Sequence, residues 1–353
     1  MFDVIGNWFR RHFSDPQVVM LAVLLLVGFL VVIYFGDMLA PVLASIVIAY
    51  LLEGLINQMH KRQLPRLTSV WIVFTLFIIV FMFMLFGLIP LLSQQVSQLV
   101  NDLPNMITTG QTALMQLPQK YPDFVSQEQL GDILTTIRNE VAGAGQALLS
   151  FSLESIPGLV TLVVYLILVP LLVFFFLKDK KLLIDWFVSY MPKDRQLANN
   201  VWTEVNDQLA NYVRGKFWEI LIVGGVSYIV FEWMGLDYAM LLAVLVGLSV
   251  IVPYIGAAVV TFPVAIVAFF QWGAEPDFVY LIIAYGIIQA LDGNVLVPLL
   301  FSEAVNLHPI AIIVAVLFFG GLWGFWGVFF AIPLATLVKA VLNAWPTAQA
   351  EAT

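Results

Sequence analysis

The sequence predicts an all-α polytopic membrane protein, a helix bundle of about eight spans with both termini inside. Three observations carry that reading. Of 353 residues, 61% are hydrophobic and only 11% charged, with a mean hydropathy of +0.97; soluble domains carry about 25% charged residues. The apolar residues fall in runs long enough for a bilayer core, which needs roughly 20 residues per helix. Lysine and arginine gather between alternate runs, the pattern that sets membrane topology.

Residues 1–17 predict a short helix lying in the interface, because Phe2, Ile5, Trp8, Phe9 and Phe13 recur at helical spacing beside Arg10 and Arg11. The run Val18 to Phe35 is too long for the core of a cleavable signal and reads as a first span. Residues 18–92 then hold three spans, at 18–35, 38–56 and 69–92. A fourth lies at 155–177. The C-terminal bundle, 217–342, holds apolar runs at 217–235, 238–253, 257–272, 278–300, 308–320 and 324–342, followed by a tail at 343–353. Only Pro253-Tyr254-Ile255-Gly256 separates 238–253 from 257–272, so that pair reads as two short spans or as one re-entrant hairpin. With the N-terminus inside and the spans alternating, every lysine and arginine except Lys120 and Arg138 falls inside. A hairpin at 238–272 preserves that parity, so charge does not choose between eight and ten crossings.

Two stretches lie outside the spans. Residues 93–154 read as an external helical segment. Val96, Leu99, Val100 and Leu103 share a face, Pro104 interrupts the run, and Ser126-Gln-Glu-Gln129 resembles a capping box opening a second run. Residues 178–216 form a basic cytoplasmic segment. Its Val201, Val205, Leu209, Tyr212 and Val213 face predicts an amphipathic helix on the headgroups. Arg214, Lys216 and Glu204 are its candidates for a gate beneath a transport path.

The chemistry-bearing feature is an acid inside a span. Gln289, Asp292, Gly293 and Asn294 interrupt the apolar run 278–300, and Pro298 follows. A charge at that depth costs at least about 2.5–3.5 kcal/mol by insertion scales. Gly293 and Pro298 weaken the helix there. Asp292, with Gln289 and Asn294, is the candidate substrate- or ion-binding set. No lysine or arginine is expected at its depth, and Glu219 and Glu232 read as solvated helix ends. Glu53 reads as snorkelling or pairing near the basic loop at Lys61. Pro253, Tyr254 and Gly256 make a second interruption, and paired interruptions point to a binding site built on broken helices. The glycine-rich Gly320–Gly327 piece reads as packing or a turn, because no βαβ unit surrounds it.

The composition excludes several classes. There is no cysteine, and His12, His60 and His308 are scattered, so no metal centre is expected. No Walker A motif is present, which argues against ATP drive within this chain. No nucleophile–base pair, cofactor motif or nucleic-acid-binding pattern is readable, so no enzyme reading is favoured.

The chain resembles the AI-2E (autoinducer-2 exporter-like) transporter family, in its permease branch, over essentially its whole length. The resemblance rests on Arg10-Arg-His-Phe-Ser-Asp-Pro16, Leu177-Lys-Asp179, Asn211-Tyr-Val-Arg-Gly-Lys216, Ile251-Val-Pro-Tyr-Ile-Gly256, Gln289-Ala-Leu-Asp-Gly-Asn-Val-Leu-Val-Pro298 and Phe319-Gly-Gly-Leu-Trp-Gly-Phe-Trp-Gly327. Many relatives carry glutamate where this chain has Asp292. The resemblance implies a bacterial inner-membrane permease of about eight spans and homo-oligomerisation, with pentamers as one form. Its expected partners are the lipid bilayer and a small solute, a monovalent cation or a proton. The leading expectation is a secondary transporter of a small solute, such as an autoinducer-2-like signal. The alternatives are a sodium(lithium)/proton antiporter and a non-transporting scaffold for envelope proteins.

Overall fold

The computed structural model describes residues 16–115, 156–301 and 307–344, and every regular element among them is a helix. The expected N-terminal interface helix, the capping box at Ser126–Gln129 and most of the tail lie outside the described residues. Six helical stretches are long and apolar enough to cross a membrane: Pro16–Gly36, Met38–Lys61, Arg66–Met106, Ile255–Trp272, Pro276–Phe301 and Pro309–Phe329. Shorter apolar helices accompany them at Val163–Lys178, Ala239–Ser249 and Ala331–Asn343. The protein is a polytopic helix bundle.

Helix α1 (Pro16–Lys61) is one helical run, yet it bends sharply. Gln17 Oε1 accepts from Leu197 N at 2.9 Å, and Tyr50 OH donates to Asn206 Oδ1 at 2.8 Å. Leu197 and Asn206 are about 14 Å apart along their helix, whereas a straight helix would separate Gln17 from Tyr50 by about 50 Å. The two legs, 16–36 and 38–61, therefore both reach the same neighbour.

Helices α2 (Arg66–Phe83) and α3 (Ile89–Met115) continue through a π-helical turn, Met84–Leu88, as a rod about 75 Å long. Pro104 lies within α3 and does not end it, contrary to the expectation from sequence. A proline removes one backbone hydrogen bond, and contacts in the turns just before it hold the helix in place. Gln95 Oε1 accepts from Leu241 N at 2.7 Å, and Asp102 Oδ2 accepts from Tyr238 OH at 2.5 Å. Helix α4 (Ile156–Lys178) packs on α1 and α2 through Val173 and Leu177, in a cluster with Leu52 and Ile56 of α1 and Val70 of α2. Helix α5 (Lys180–Ser189) follows at once. Where they meet, Glu53 receives both Arg66 at 3.1 Å and Lys180 at 3.2 Å, so this acid is paired.

Helix α6 (Gln196–Trp233) fuses two pieces that the sequence suggested were separate. Its amphipathic N-terminal half and the apolar span after it form one uninterrupted helix. Helix α7 (Ala239–Ser249) packs along the apolar half of α6, and α8 (Ile255–Trp272) runs back beside α7. In lipid, close contact rather than apolar burial holds helices together. A Cβ on Gly247 would stand 2.9 Å from Ile220 O and 3.1 Å from Gly224 Cα, so the α6 and α7 backbones touch there. The free ends of the hairpin are tied together: Gln271 Oε1 accepts from Asp237 N and Gln271 Nε2 donates to Gly235 O, at 2.8 and 2.7 Å.

Helix α9 (Pro276–Leu291) passes through a second π-helical turn, Asp292–Leu296, into the short α10 (Val297–Phe301). Phe231, Leu242, Val246, Val264, Leu281 and Tyr285 form the core shared by α6 to α9. Helix α11 (Pro309–Phe329) starts at His308, whose ring Nδ1 accepts from Ile310 N at 3.3 Å. It kinks at Gly324 (φ +57°), a conformation glycine tolerates and L side chains rarely adopt. A Cβ on Gly327 would fall 1.8 Å from Phe319 O. The Gly320–Gly327 piece is thus a tight hairpin turn leading into α12 (Ala331–Ala344), and the break lies at Gly324 rather than after residue 320.

Candidate functional site

Both interruptions seen in the sequence converge on one charged residue. At the first, α7 ends and the chain reverses through Pro253–Gly256. Tyr254 takes φ +63°, an unfavourable backbone for a bulky side chain, and is exposed. A Cβ on Gly256 would sit 1.8 Å from Ser249 O, so only glycine fits the turn. The carbonyls at the end of a helix lack intrahelical donors, and here they find others. Val252 N reaches Ser249 O at 3.1 Å, Ser249 Oγ reaches Val246 O at 2.7 Å, and Lys216 Nζ reaches Val250 O at 2.7 Å.

The second interruption is a π turn rather than a break. Val297 N bonds to Asp292 O, five residues back. Pro298 has no N–H, and its ring crowds the carbonyl four residues earlier, that of Asn294. Widening the helix by one residue just before it relieves that clash. The other π turn carries the same device: Ile89 N bonds Met84 O, and Pro90 stands where Pro298 does. Such turns are frequent at functional positions.

Lys216 sits between them. It is 5% exposed, and its Nζ lies 2.7 Å from Glu219 Oε2, which is itself on a residue 2% exposed. The contact is an ion pair rather than an aligned hydrogen bond. The ammonium also stands 5.3 Å over the Phe301 ring of α10. The ring can come that close because residue 215 is glycine, where an added Cβ would meet Phe301 at 2.6 Å. The π turn carrying Asp292 touches α6, and Lys216 and Glu219 both act electrostatically on or with Asp292.

Two expectations are corrected here. Glu219 is not a solvated helix end but a buried acid in mid-helix, and Asp292 has a cation at its depth. Both errors have one cause. The basic pattern of 178–216 reads as cytoplasmic and ends on Lys216, whereas α6 carries that residue unbroken into the bundle. The remaining signal in the sequence was the spacing of Lys216, Glu219, Val223 and Ser227, which places all four on one helix face.

Several polar atoms in this seam are buried without a protein partner: Asp292 Oδ1 and Gln289 Nε2 on the α9 side, Ser227 Oγ on α6. Buried polar groups normally find a partner in protein or water. The π turn thus brings Asp292 to the helix that carries Lys216 and Glu219, whereas Gln289 lies one turn earlier on α9, beside Tyr285. Asn294 is exposed, and its Nδ2 donates to Ala290 O of its own helix at 2.8 Å. Gly293 and Pro298 are exposed on the outer side of the π turn. Arg214 donates to Asn211 Oδ1 at 2.8 Å, and Glu204 is exposed three turns earlier on α6, accepting from Gln208 at 3.4 Å. Among the described residues, no group of histidines and acids has the arrangement of a metal site.

The chain matches the family model described as AI-2E family transporter over residues 19–347. It is 46% identical to the PerM protein of Escherichia coli (strain K12) over 349 residues, which is 99% of each chain. It is 27% identical to the YueF protein of Bacillus subtilis (strain 168), over 94% of this chain and 92% of the relative. It is 24% identical to the AI-2 transport protein TqsA of Escherichia coli (strain K12), over 92% of each.

Proposed function

The chain belongs to the AI-2E transporter family, and on that premise we propose that it is a secondary transporter. It moves a small polar solute across a bacterial inner membrane along the seam between α6 and α9. One observation carries this reading: Asp292 Oδ1 is a buried carboxylate oxygen without a protein partner, set in a π turn beside the Lys216–Glu219 pair. An acid inside a membrane bundle is costly and marks substrate or ion pathways. Gln289 Nε2 and Ser227 Oγ extend unpartnered polar atoms along the same two helices, which supports a hydrated route. Asp292 is the polar contact for the solute or its coupling ion, Gln289 a hydrogen-bonding partner, and the Pro253–Gly256 and Asp292–Pro298 interruptions the places where backbone geometry opens. The positions of lysine and arginine support cytoplasmic termini.

The name of the TqsA relative makes autoinducer-2 the first solute to test, alongside other small polar signals. Purified protein in liposomes is assayed for uptake and efflux, with Asp292→Asn in parallel. The expected result is flux in the parent and its loss in a folded Asp292→Asn variant. Full activity in that variant refutes the role.

Charge balance favours a second reading, monovalent cation/proton antiport at the same acid. Lys216 pairs with Glu219, and Asp292 on the adjoining turn brings the formal charge of the three side chains to −1, which a cation or proton balances. A pH dye inside the liposomes separates the readings. Sodium-dependent proton flux supports antiport, and its absence excludes it.

A further inference from the structure

We propose that Lys216 is a positioning residue that ties the state of Asp292 to the α7–α8 hairpin. This rests on the transport reading above. The residue does three things at once. It neutralises Glu219 at 2.7 Å, donates to the Val250 carbonyl at the hairpin tip at 2.7 Å, and sits on α6, the helix against which the Asp292 π turn packs. Four elements supply the groups of this cluster: Glu219 from α6, Asp292 from the π turn, the Val250 carbonyl from α7 and the Phe301 ring from α10. One ammonium thus serves two acids and one helix end.

The two acids pull it in different directions. Glu219 lies one turn further along the same helix and keeps Lys216 where it meets Val250. Asp292 lies on another element, and an ammonium drawn toward it leaves the tip carbonyl without a donor. A solute or cation that neutralises Asp292 removes the second pull and leaves the hairpin held. A bare Asp292 competes for Lys216 and loosens it. Occupancy of the site is thereby transmitted to the Pro253–Gly256 turn, whose strained Tyr254 and tight Ser249–Gly256 contact mark it as the hinge.

The absence of cysteine from the whole chain provides the assay. Ile251 is 6% exposed beside Val250, so Ile251→Cys reports whether the tip is held or open through its rate of reaction with N-ethylmaleimide in liposomes. Glu219→Gln and Lys216→Met are each expected to speed labelling roughly tenfold or more, the scale of a lost charged hydrogen bond. Asp292→Asn is expected to leave labelling as slow as in the parent or slower. The opposite responses to losing the two acids are the signature, because a merely structural cluster is loosened by losing either one. Acceleration in Asp292→Asn, or no acceleration in Glu219→Gln, overturns the proposal. If Lys216→Met does not fold, Glu219→Gln carries the same prediction. The flux assay is read separately: unimpaired flux in Asp292→Asn sinks the transport reading, while labelling alone decides the latch.

Discussion

Replacing Lys216 with methionine keeps the length of the side chain and removes the charge. Glu219 then remains 2% exposed with no counterion, and the Val250 carbonyl loses its 2.7 Å donor. Both side chains of the pair are almost wholly buried, at 6% and 3% exposure, so solvent screens little of the loss. Removing one member of such a pair costs about 3–5 kcal/mol, against about 0–1 kcal/mol for a pair at the surface. Replacing both members by apolar residues of similar volume is often near neutral. The double variant Lys216→Met/Glu219→Met is therefore expected to recover most of what the single variant loses. Thermal unfolding of the purified protein in detergent measures this. At roughly 2 °C per kcal/mol for a chain of this size, the single variant melts about 6–10 °C below the parent and the double variant close to it. A single variant within a degree of the parent would show that the pair is not buried in the working protein. A double variant no more stable than the single would show that the uncompensated charge of Glu219 is not the cause.

Other substitutions test the surrounding frame. Gly256→Ala places a carbon 1.8 Å from Ser249 O and is expected to abolish monodisperse protein on size-exclusion chromatography; a normal profile refutes the tight turn. Tyr238→Phe removes the donor to Asp102 that docks α3 on α7, and is expected to cost about 1 kcal/mol in thermal unfolding. At the other end, Glu53→Gln leaves both Arg66 and Lys180 unpaired and is expected to destabilise more than Arg66→Ala, which leaves the Lys180 contact intact; equal losses would show that the three do not act as a network.

Much of this architecture is legible in the residues. Apolar runs of bilayer length read directly as helices, because lipid leaves the backbone no partner but itself. The two polar interruptions could be located for the same reason: Asp292 and Pro253–Gly256 are anomalies against an apolar background. Pro104 and Pro298 were less informative, since a proline states that a bond is lost and not how the helix accommodates it. In α3 the helix continues through Pro104, and before Pro298 it widens into a π turn. The bend of α1 and the kink at Gly324 likewise required contacts between distant residues.

The sequence by itself determined the class of the protein, its family, the apolar segments and the presence of a costly acid within one of them. Those follow from composition and local pattern, which each residue carries with it. Only the tertiary structure decided what surrounds that acid. Lys216 and Glu219 are many residues away from Asp292, and their depth depends on α6 running unbroken from its amphipathic half into the bundle. An isolated charge in a span thereby became one member of a three-residue cluster, because burial and pairing are properties of packed helices and not of any one segment.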